Sequence, residues 1–123
     1  EGVGVAVAVD GGRTGVDLET IEARPEHFAQ TWFSDAERLL CGVDSVRQTA
    51  LWSVKEAVLK VLGTGMALSP RDIQVSSLRD GRALICLHGA AARRLTQLGG
   101  GQITVSWVVS GPASLVAEAR IAA

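Results

Sequence analysis

The chain has 123 residues, of which 47% are hydrophobic and 20% charged, and its formal net charge is -1. A chain of this length can bury one substantial core, so we expect a single domain over residues 1–123. The nearly balanced charge excludes a general polyanion binder, and the sequence has no run of about 18 apolar residues that could span a membrane. We therefore expect a cytoplasmic protein whose partners include neither nucleic acid nor a membrane.

The N-terminal residues predict a β-hairpin. Valine alternates with glycine or alanine over residues 3–9, residues 10–12 read D-G-G, and residues 13–19 can return as a second strand. On this second strand Asp17 and Glu19 point to the same side. Two carboxylates on one strand face form a candidate cation site, although a solvent-exposed edge strand with polar residues outward gives the same pattern.

A mixed helical segment and two helices, one short and one long, are predicted next. Residues 20–30 are expected to be largely helical, with an interruption at a proline. Ser34 followed by Glu37 forms a capping box, which predicts the start of a short helix. After a break over residues 42–45, the long helix should begin at residue 47 or 48.

The long helix is the centre of the predicted domain. An α-helix turns by about 100° per residue, so Trp52, Glu56 and Lys60 fall on one face. An apolar stripe on the opposite face, which can dock the helix on a core, comprises Leu51, Val54, Val58, Val61 and Leu62. The polar face has an ordinary interpretation too, because a glutamate four residues before a lysine is the commonest stabilising surface pair, and Trp52 can pack under a neighbouring element.

Gly63, Thr64 and Gly65 follow this helix directly. Glycine commonly ends a helix, so the first of them predicts the helix stop. In a functional interpretation, the two glycines and the hydroxyl allow backbone N–H groups to approach a phosphate.

The rest of the chain predicts more hairpins. Strands are expected over residues 73–78 and 83–88, a short helix over residues 90–98, and a last hairpin from residues 103–109 and 114–121. This order of elements predicts an α+β fold in which antiparallel β-hairpins form a sheet packed on the long central helix.

Two separated motifs give the sequence a family resemblance. Residues 15–19 read G-V-D-L-E, and residues 52–60 read W-S-V-K-E-A-V-L-K. Together they resemble the 4′-phosphopantetheinyl transferases, whose signatures are G-[VI]-D-x-E and W-[ST]-x-K-E-[AS]-x-x-K. Residues 32–38 (W-F-S-D-A-E-R), 63–66 (G-T-G-M) and 69–75 (S-P-R-D-I-Q-V) also look like that family, so the similarity extends over most of the chain.

The resemblance implies transfer of the phosphopantetheine arm of coenzyme A to a serine of an acyl or peptidyl carrier protein, with release of 3′,5′-ADP. It implies that Asp17, Glu19 and Glu56 hold Mg²⁺, and that Glu56 takes the serine proton directly or through a water. Lys60 would stabilise or protonate the leaving phosphate, and Lys55 would contact coenzyme A phosphates. The glycine-rich segment after the helix would complete the coenzyme A site.

The chain also departs from the family pattern. Family members with two lobes carry a Ser-x-Ser-His segment whose histidine binds the 3′-phosphate of coenzyme A, whereas here Ser106 is followed by Trp107. The chain starts with glutamate instead of methionine and is one lobe long, like the small carrier-protein synthases that form trimers. We therefore expect either a homo-oligomer such as a trimer, or a fragment of a longer polypeptide that pairs with a missing N-terminal lobe.

The resemblance also bears on where the carrier protein binds, and two other functions fit the sequence. Residues 32–38 are nominated for contact with the carrier protein, because recognition in such enzymes uses exposed apolar and basic residues. The alternative function is a non-catalytic lobe that binds a carrier protein or coenzyme A and needs an additional lobe or subunit for activity. A Mg²⁺-dependent phosphohydrolase is a third interpretation, but the sequence nominates no histidine to activate water.

Overall fold

The computed structural model describes residues 3–9, 12–63 and 68–122, the first of these ranges by its backbone. The strands in these ranges are β1 (Val3–Val9), β2 (Gly12–Thr20), β3 (Ile73–Ser77), β4 (Arg82–Leu87), β5 (Ile103–Ser110) and β6 (Ser114–Ile121). The α-helices are α1 (Glu26–Trp32), α2 (Asp35–Cys41), α3 (Ser45–Leu62) and α4 (Gly89–Gln97), and short 3₁₀ turns occupy Pro70–Asp72 and Arg79–Gly81. Among these helices none is long and apolar enough to cross a bilayer.

The strands form one sheet in the order β1-β2-β6-β5-β4-β3, and every neighbouring pair is antiparallel. The N-terminal hairpin joins the C-terminal hairpin through the pairing of β2 with β6, in which Asp17 lies opposite Ala117. The pairing of β4 with β5 is short and places Arg82 opposite Ser106. The predicted α+β class with antiparallel hairpins is therefore confirmed.

Helix α3 packs on one face of this sheet and forms the centre of the core. Its predicted apolar stripe has no exposed surface and consists of Leu51, Val54, Val58, Val61 and Leu62. On the sheet, the small buried side chains of Ala117 and Ala119 leave room for the helix. Each large side chain in this interface stabilises the fold by about 1.5–3 kcal/mol relative to an exposed position. The predicted long central helix is thus confirmed as the element that covers the sheet.

Gly15 lets the backbone of α3 lie directly on β2. A Cβ atom at this position would be 2.4 Å from the Val61 nitrogen and 2.5 Å from the Ala57 carbonyl oxygen. Nonbonded atoms do not approach so closely, so the position requires glycine for its missing side chain. The contact brings Asp17, two residues along the same face of β2, against the polar side of the helix.

The start of α3 differs from the prediction. The helix begins at Ser45 instead of residue 47 or 48, because Asp44 acts as its N-cap. The Oδ1 atom of Asp44 accepts hydrogen bonds from the backbone nitrogens of Val46 at 2.9 Å and Arg47 at 3.1 Å. This cap satisfies two of the free N–H groups of the first turn and so moves the helix start back toward the loop.

Two predictions near α1 and α2 have different outcomes. The capping box is confirmed, because the Ser34 hydroxyl accepts from the Glu37 nitrogen at 3.2 Å and Glu37 Oε1 accepts from the Ser34 nitrogen at 2.9 Å.

The helical prediction for residues 20–30 is wrong in its first half. There β2 continues to Thr20, and the helix begins only after Pro25, whose ring prevents an earlier start in helical register.

Candidate active site

Asp17, Lys60 and Glu56 form a connected cluster between β2 and α3. The Nζ atom of Lys60 lies 2.9 Å from Asp17 Oδ1 and 3.5 Å from Glu56 Oε1. The other carboxylate oxygen of Asp17, Oδ2, accepts a hydrogen bond of 2.9 Å from the Ser53 hydroxyl. Asp17 is completely buried, whereas the side chains of Lys60 and Glu56 are 24% and 25% exposed. The cluster, built from both sequence motifs, therefore has a fixed inner end and an outer end open to solvent.

Glu19 adds a third carboxyl group beside Asp17, on the buried side of the cluster. Its side chain is 3% exposed. Burial, a hydrogen bond with Asp17 and the negative charge of Asp17 raise the pKa of Glu19 to about 7, against the lowering effect of Arg24. The Nη2 atom of Arg24 lies 3.7 Å from Glu19 Oε1. Two adjacent acidic groups in a desolvated position favour a nearby cation.

The environment shifts the pKa values of Glu56 and Lys60 upward. Burial raises the pKa of Glu56 and the charge of Asp17 adds to this effect, while Lys60 opposes it. Burial lowers the pKa of Lys60, but its hydrogen bonds with Asp17 and Glu56 and their charges outweigh burial and raise that pKa. Glu56 is consequently a better proton acceptor than an ordinary surface carboxylate, and Lys60 is a firmly protonated cation.

The donor chemistry of the cluster suits a divalent cation. Magnesium takes oxygen ligands and commonly uses one or two carboxylates together with substrate phosphates and water. Asp17 and Glu56 direct carboxylate oxygens toward the same lysine, and Glu19 lies next to Asp17. Within the ranges that the structure covers, no three acidic, histidine or cysteine side chains stand close enough to coordinate one ion. The assignment of Asp17, Glu19 and Glu56 to Mg²⁺ therefore stays a prediction that rests on two carboxylates facing one point and a third beside them.

Lys55, which we expected at coenzyme A phosphates, does not belong to this cluster. Its side chain is 1% exposed, and its Nζ lies 2.9 Å from Glu37 Oε1. The same ammonium donates to the carbonyl oxygens of Pro70 at 3.0 Å and Ile73 at 2.6 Å, so all three of its hydrogens have acceptors inside the protein. Burial lowers the pKa of Lys55 and the charge of Glu37 opposes that effect. The structure thus corrects the expectation: Lys55 ties α3 to α2 and to the start of β3.

Trp52, the third residue of the predicted polar face, packs against α1. Its ring centroid is 4.8 Å from that of Phe28, with the planes at 74°, and 6.3 Å from that of Trp32. Edge-to-face contacts of this kind contribute about 0.5–1.5 kcal/mol beyond burial. Trp52 therefore attaches α1 to the central helix and leaves the Glu56 and Lys60 end of the face open for chemistry.

Gly63 ends α3 as predicted, and two arginines meet there. Its nitrogen donates to the carbonyl oxygens of Leu59 and Lys60, and its φ of 93° is one that favours glycine. The Nε atoms of Arg13 and Arg94 donate to the last carbonyl groups of the helix. Thr64 and Gly65, the other two residues of the predicted phosphate loop, lie outside the described residues.

Sequence reasoning did not select Ser53, Arg13 or Arg94 as site residues. Ser53 occupies the serine or threonine position of the second motif, so the motif itself contained a signal for a functional hydroxyl, which here donates a hydrogen bond to Asp17. The two arginines had none, because they lie 81 positions apart and only the folded chain brings them together.

A groove of about 500 Å³ lies between α1, α2 and the start of α3. Arg24 and Arg38 line it together with Leu39 and Val43, which are 87% and 95% exposed. Of the residues nominated for carrier contact, Arg38 lies on this groove, whereas Trp32 belongs to the aromatic cluster with Trp52. Two acidic residues, Glu26 and Asp35, also line the groove, so a surface with exposed apolar residues and balanced charge adjoins the nominated segment and extends beyond it to Val43.

The buried aspartate and the partly exposed glutamate can supply carboxylate oxygens to a cation, and the lysine between them can supply a positive charge to phosphate oxygens. The sequence pattern of the 4′-phosphopantetheinyl transferase superfamily matches residues 13–110, which include the whole cluster. The chain therefore belongs to the 4′-phosphopantetheinyl transferase superfamily. The resemblance drawn from the two motifs is confirmed, and with it the prediction that the protein is a transferase.

Characterised relatives and solved structures agree with this family. The chain is 34% identical over 113 residues to the holo-[acyl-carrier-protein] synthase of Herpetosiphon aurantiacus, a match that covers 80% of the chain and 89% of the relative. It is 37% identical over 101 residues to fatty acid synthase subunit alpha of Schizosaccharomyces pombe, covering 75% of the chain and 6% of that much longer relative. The fold is similar to the ACPS–CoA complex of Chronobacterium ammoniagenes, with a TM-score of 0.66 at 26% identity over 91% of this chain and 98% of the other.

Proposed function

We propose that the protein transfers 4′-phosphopantetheine from coenzyme A to a serine hydroxyl of an acyl or peptidyl carrier protein in the cytoplasm, with release of 3′,5′-ADP. The observation that carries the proposal is the Asp17–Lys60–Glu56 cluster, because the fold assembles it from both family motifs. The holo-[acyl-carrier-protein] synthase relative and the likeness to an ACPS–CoA complex support the same substrates.

The cluster supplies a base and a cation for this chemistry. The serine oxygen forms a bond to the β-phosphorus of coenzyme A, while the bond from that phosphorus to the bridging pyrophosphate oxygen breaks. Glu56 takes the serine proton, since a serine hydroxyl is a weak nucleophile without a base and the pKa of Glu56 is raised. Lys60 stabilises or protonates the leaving phosphate oxygen, and Asp17 holds its ammonium in place.

The exposure of Glu56 and Lys60 sets the direction from which the substrates approach the cluster. Glu56 and Lys60 are open to solvent while Asp17 is not, so the substrate phosphates and the carrier serine meet the cluster at its outer end. Asp17, Glu19 and Glu56 are the residues proposed to hold Mg²⁺, which when bound would neutralise charge on the pyrophosphate.

The carrier protein is proposed to dock on the groove between α1, α2 and α3. The exposed Leu39 and Val43 give this groove apolar surface, while its arginines, Arg24 and Arg38, form ion pairs with nearby glutamates. A helix of the carrier protein with an apolar edge and mixed charges would match this surface. We further propose that a second copy of the chain or an additional lobe completes the coenzyme A site, as expected for a chain of one lobe.

Intact-mass spectrometry of an apo carrier protein tests the proposed transfer. Incubation with coenzyme A, Mg²⁺ and the protein should add one phosphopantetheine to the carrier, and omission of the protein or the metal should prevent the addition. Glu56→Gln should slow the addition by at least about a hundredfold while the protein stays folded, because the base is lost. Asp80→Asn makes the same carboxylate-to-amide change at an exposed turn and should have no effect. Transfer by Glu56→Gln at the normal rate would refute the role of Glu56 as the base.

The alternative function is a binding lobe that takes up a carrier protein or coenzyme A without turnover. The observation in its favour is Trp107, which follows Ser106, whereas the two-lobed family members carry a Ser-x-Ser-His segment whose histidine binds coenzyme A. Its Nε1 donates to the Leu78 carbonyl oxygen at 3.2 Å, so this side chain serves packing. Binding of coenzyme A without any modification of the carrier protein, both for this chain and for a longer form of it, would favour that function.

A further inference from the structure

Gln48, near the start of α3, joins the two walls of the groove between α1, α2 and α3. Its Oε1 atom accepts a hydrogen bond of 2.8 Å from the backbone nitrogen of Arg24, just before α1 begins. Its Nε2 atom donates at 2.8 Å to the carbonyl oxygen of Gly42, the C-cap residue of α2. Arg24, Gly42 and Gln48 all line the groove. One side chain therefore connects the start of α1 to the end of α2.

A carboxamide is the side-chain group that suits both walls. The Arg24 nitrogen needs an acceptor and the Gly42 oxygen needs a donor, and glutamine supplies one of each. Glutamate would supply the acceptor alone, and methionine, which has a similar length, would supply neither. Gln48 is 9% exposed, so water has little access to replace a lost bond. The identity of residue 48 is thus set by the two walls together.

The larger attachments of α1 and α2 to the central helix lie further along α3. Phe28 of α1 packs on Trp52, and Glu37 of α2 pairs with Lys55. Trp52 and Lys55 follow Gln48 by four and seven residues, or about 6 Å and 10 Å along the helix axis. These contacts hold the far parts of the two helices, and Gln48 holds the ends that meet at the groove.

Other links near the groove are exposed to solvent. Arg38 pairs with Glu26 across the two helices, and the Nη1 atom of Arg47 donates to the Leu40 carbonyl oxygen at 3.2 Å. Exposed pairs of this kind contribute little, because water competes for both partners. Gln48 therefore provides a buried link between walls that are otherwise joined at the surface.

We propose that Gln48 is a positioning residue for recognition of the carrier protein, because its carboxamide holds the two walls of the groove at the separation on which the carrier helix docks. The inference rests on the proposed docking of the carrier protein on this groove. A binding surface that is ordered in advance loses less conformational freedom when the partner binds, so the gain is one of affinity. Glu56 lies eight residues further along α3, about 12 Å away, and the chemical step should not depend on Gln48.

Thr49 offers a matched control. Its hydroxyl accepts from the Glu22 nitrogen and donates to the Glu22 carbonyl oxygen, both at 3.1 Å, and its side chain is completely buried. Thr49→Val removes two buried hydrogen bonds to the segment between β2 and α1, as many bonds as Gln48→Met removes from the groove walls. The residues that line the groove include neither Thr49 nor Glu22. The pair of variants separates a loss of stability from a change in the groove.

Steady-state kinetics with coenzyme A and an apo acyl carrier protein test the proposal. In Gln48→Met the KM for the carrier protein should rise about tenfold, while kcat and the KM for coenzyme A stay within about twofold. Gln48→Glu keeps the bond to the Arg24 nitrogen and should raise the carrier KM less. Thr49→Val should lower the melting temperature about as much as Gln48→Met and leave the carrier KM within about twofold.

Labelling of Cys41 provides a measurement that needs no carrier protein. Cys41 precedes Gly42, lines the groove and is 4% exposed. Release of the end of α2 in Gln48→Met should increase the rate of its reaction with iodoacetamide about threefold or more over that in Thr49→Val. Equal rates in the two variants would mean that Gln48 does not hold this wall.

The outcomes separate the role of Gln48 from the proposed transferase function. An unchanged carrier KM in Gln48→Met, or the same increase in Thr49→Val, would overturn the positioning role while transfer itself remained. If the unsubstituted protein transfers no phosphopantetheine, the proposed function fails. Calorimetric titration with the apo carrier protein then replaces kinetics, and equal affinity of the unsubstituted protein and Gln48→Met would overturn the inference. Should Gln48→Met fail to fold, an unchanged carrier KM in Gln48→Glu would overturn it.

Discussion

Replacing Lys55 by methionine should destabilise the fold strongly while leaving the proposed reacting groups in place. The ammonium of Lys55 is buried with Glu37, and both side chains are 1% exposed. Methionine fills much the same volume but leaves a buried carboxylate without its cation and two backbone carbonyl oxygens, those of Pro70 and Ile73, without their donor. These groups are out of contact with water and would have no substitute for the lost ammonium. The loss of stability should therefore be larger than for replacement of a surface lysine.

The size of the effect follows from the number of partners lost. Removal of one member of a buried ion pair costs about 3–5 kcal/mol, against a total stability of about 5–15 kcal/mol for a domain. For a domain of this size the melting temperature should fall by roughly 10–20 °C. Glu37 retains hydrogen bonds from the nitrogens of Ser34 at 2.9 Å and Val75 at 2.7 Å, which places the expected cost toward the lower end of this range.

Urea unfolding followed by circular dichroism measures the change, with Lys60→Met as the matched variant. Lys60 lies on the same helix but is 24% exposed, and its buried partner Asp17 keeps the hydrogen bond from Ser53, so replacement of Lys60 should cost less stability and abolish transfer to the carrier protein. The double variant Lys55→Met with Glu37→Gln should recover at least about 1 kcal/mol relative to Lys55→Met, because it removes the unpaired charge. The reasoning is refuted if Lys55→Met is as stable as the unsubstituted protein and instead loses its affinity for coenzyme A.

Three shorter predictions concern other positions. Asp17→Asn should lower the transfer rate and weaken its dependence on Mg²⁺, and an effect on melting temperature alone would contradict a role in metal binding. Gly15→Ala should destabilise the protein by about 3 kcal/mol or more in urea unfolding, since the new methyl group meets backbone atoms of α3; an unchanged midpoint would show that the helix can move away. Cys86 is exposed whereas Cys41 is buried, and burial raises the pKa of Cys41, so iodoacetamide should label Cys86 first at neutral pH; equal labelling rates in the folded protein would argue against the burial of Cys41.

Features that depend on local patterns could be predicted from the sequence. The capping box at Ser34 and Glu37 involves residues three positions apart, and the buried stripe of α3 follows from helical periodicity. The alternation of side chains on β2 placed Asp17 and Glu19 on one face, and both are buried toward the same side. The start of α3 was missed because Asp44 was assigned to a break, although aspartate is a preferred N-cap.

Features that depend on tertiary contacts could not be predicted in the same way. Lys55 is four residues after Leu51 and three before Val58, so helical periodicity puts it on the buried side of α3, which the expected contact with coenzyme A did not take into account, and nothing local identified Glu37 as its partner. The motif itself suggested a shared role with Glu56, because the two residues are adjacent in sequence. Adjacent residues on a helix point about 100° apart, and here one points into the core and the other to the solvent.

Because of Gly15, the proposed chemistry is tied to the register of β2 in the sheet. A slip of β2 by one residue would turn every side chain of the strand to the opposite face, so Val16 or Leu18 would replace Asp17 in front of Lys60. The same slip would present Thr14 or Val16 to the Ala57 carbonyl oxygen, where even a Cβ atom has no room. Steric clashes with α3 therefore exclude a misaligned hairpin. A chain that has packed α3 on the sheet has, as a result, also placed Asp17 beside Lys60.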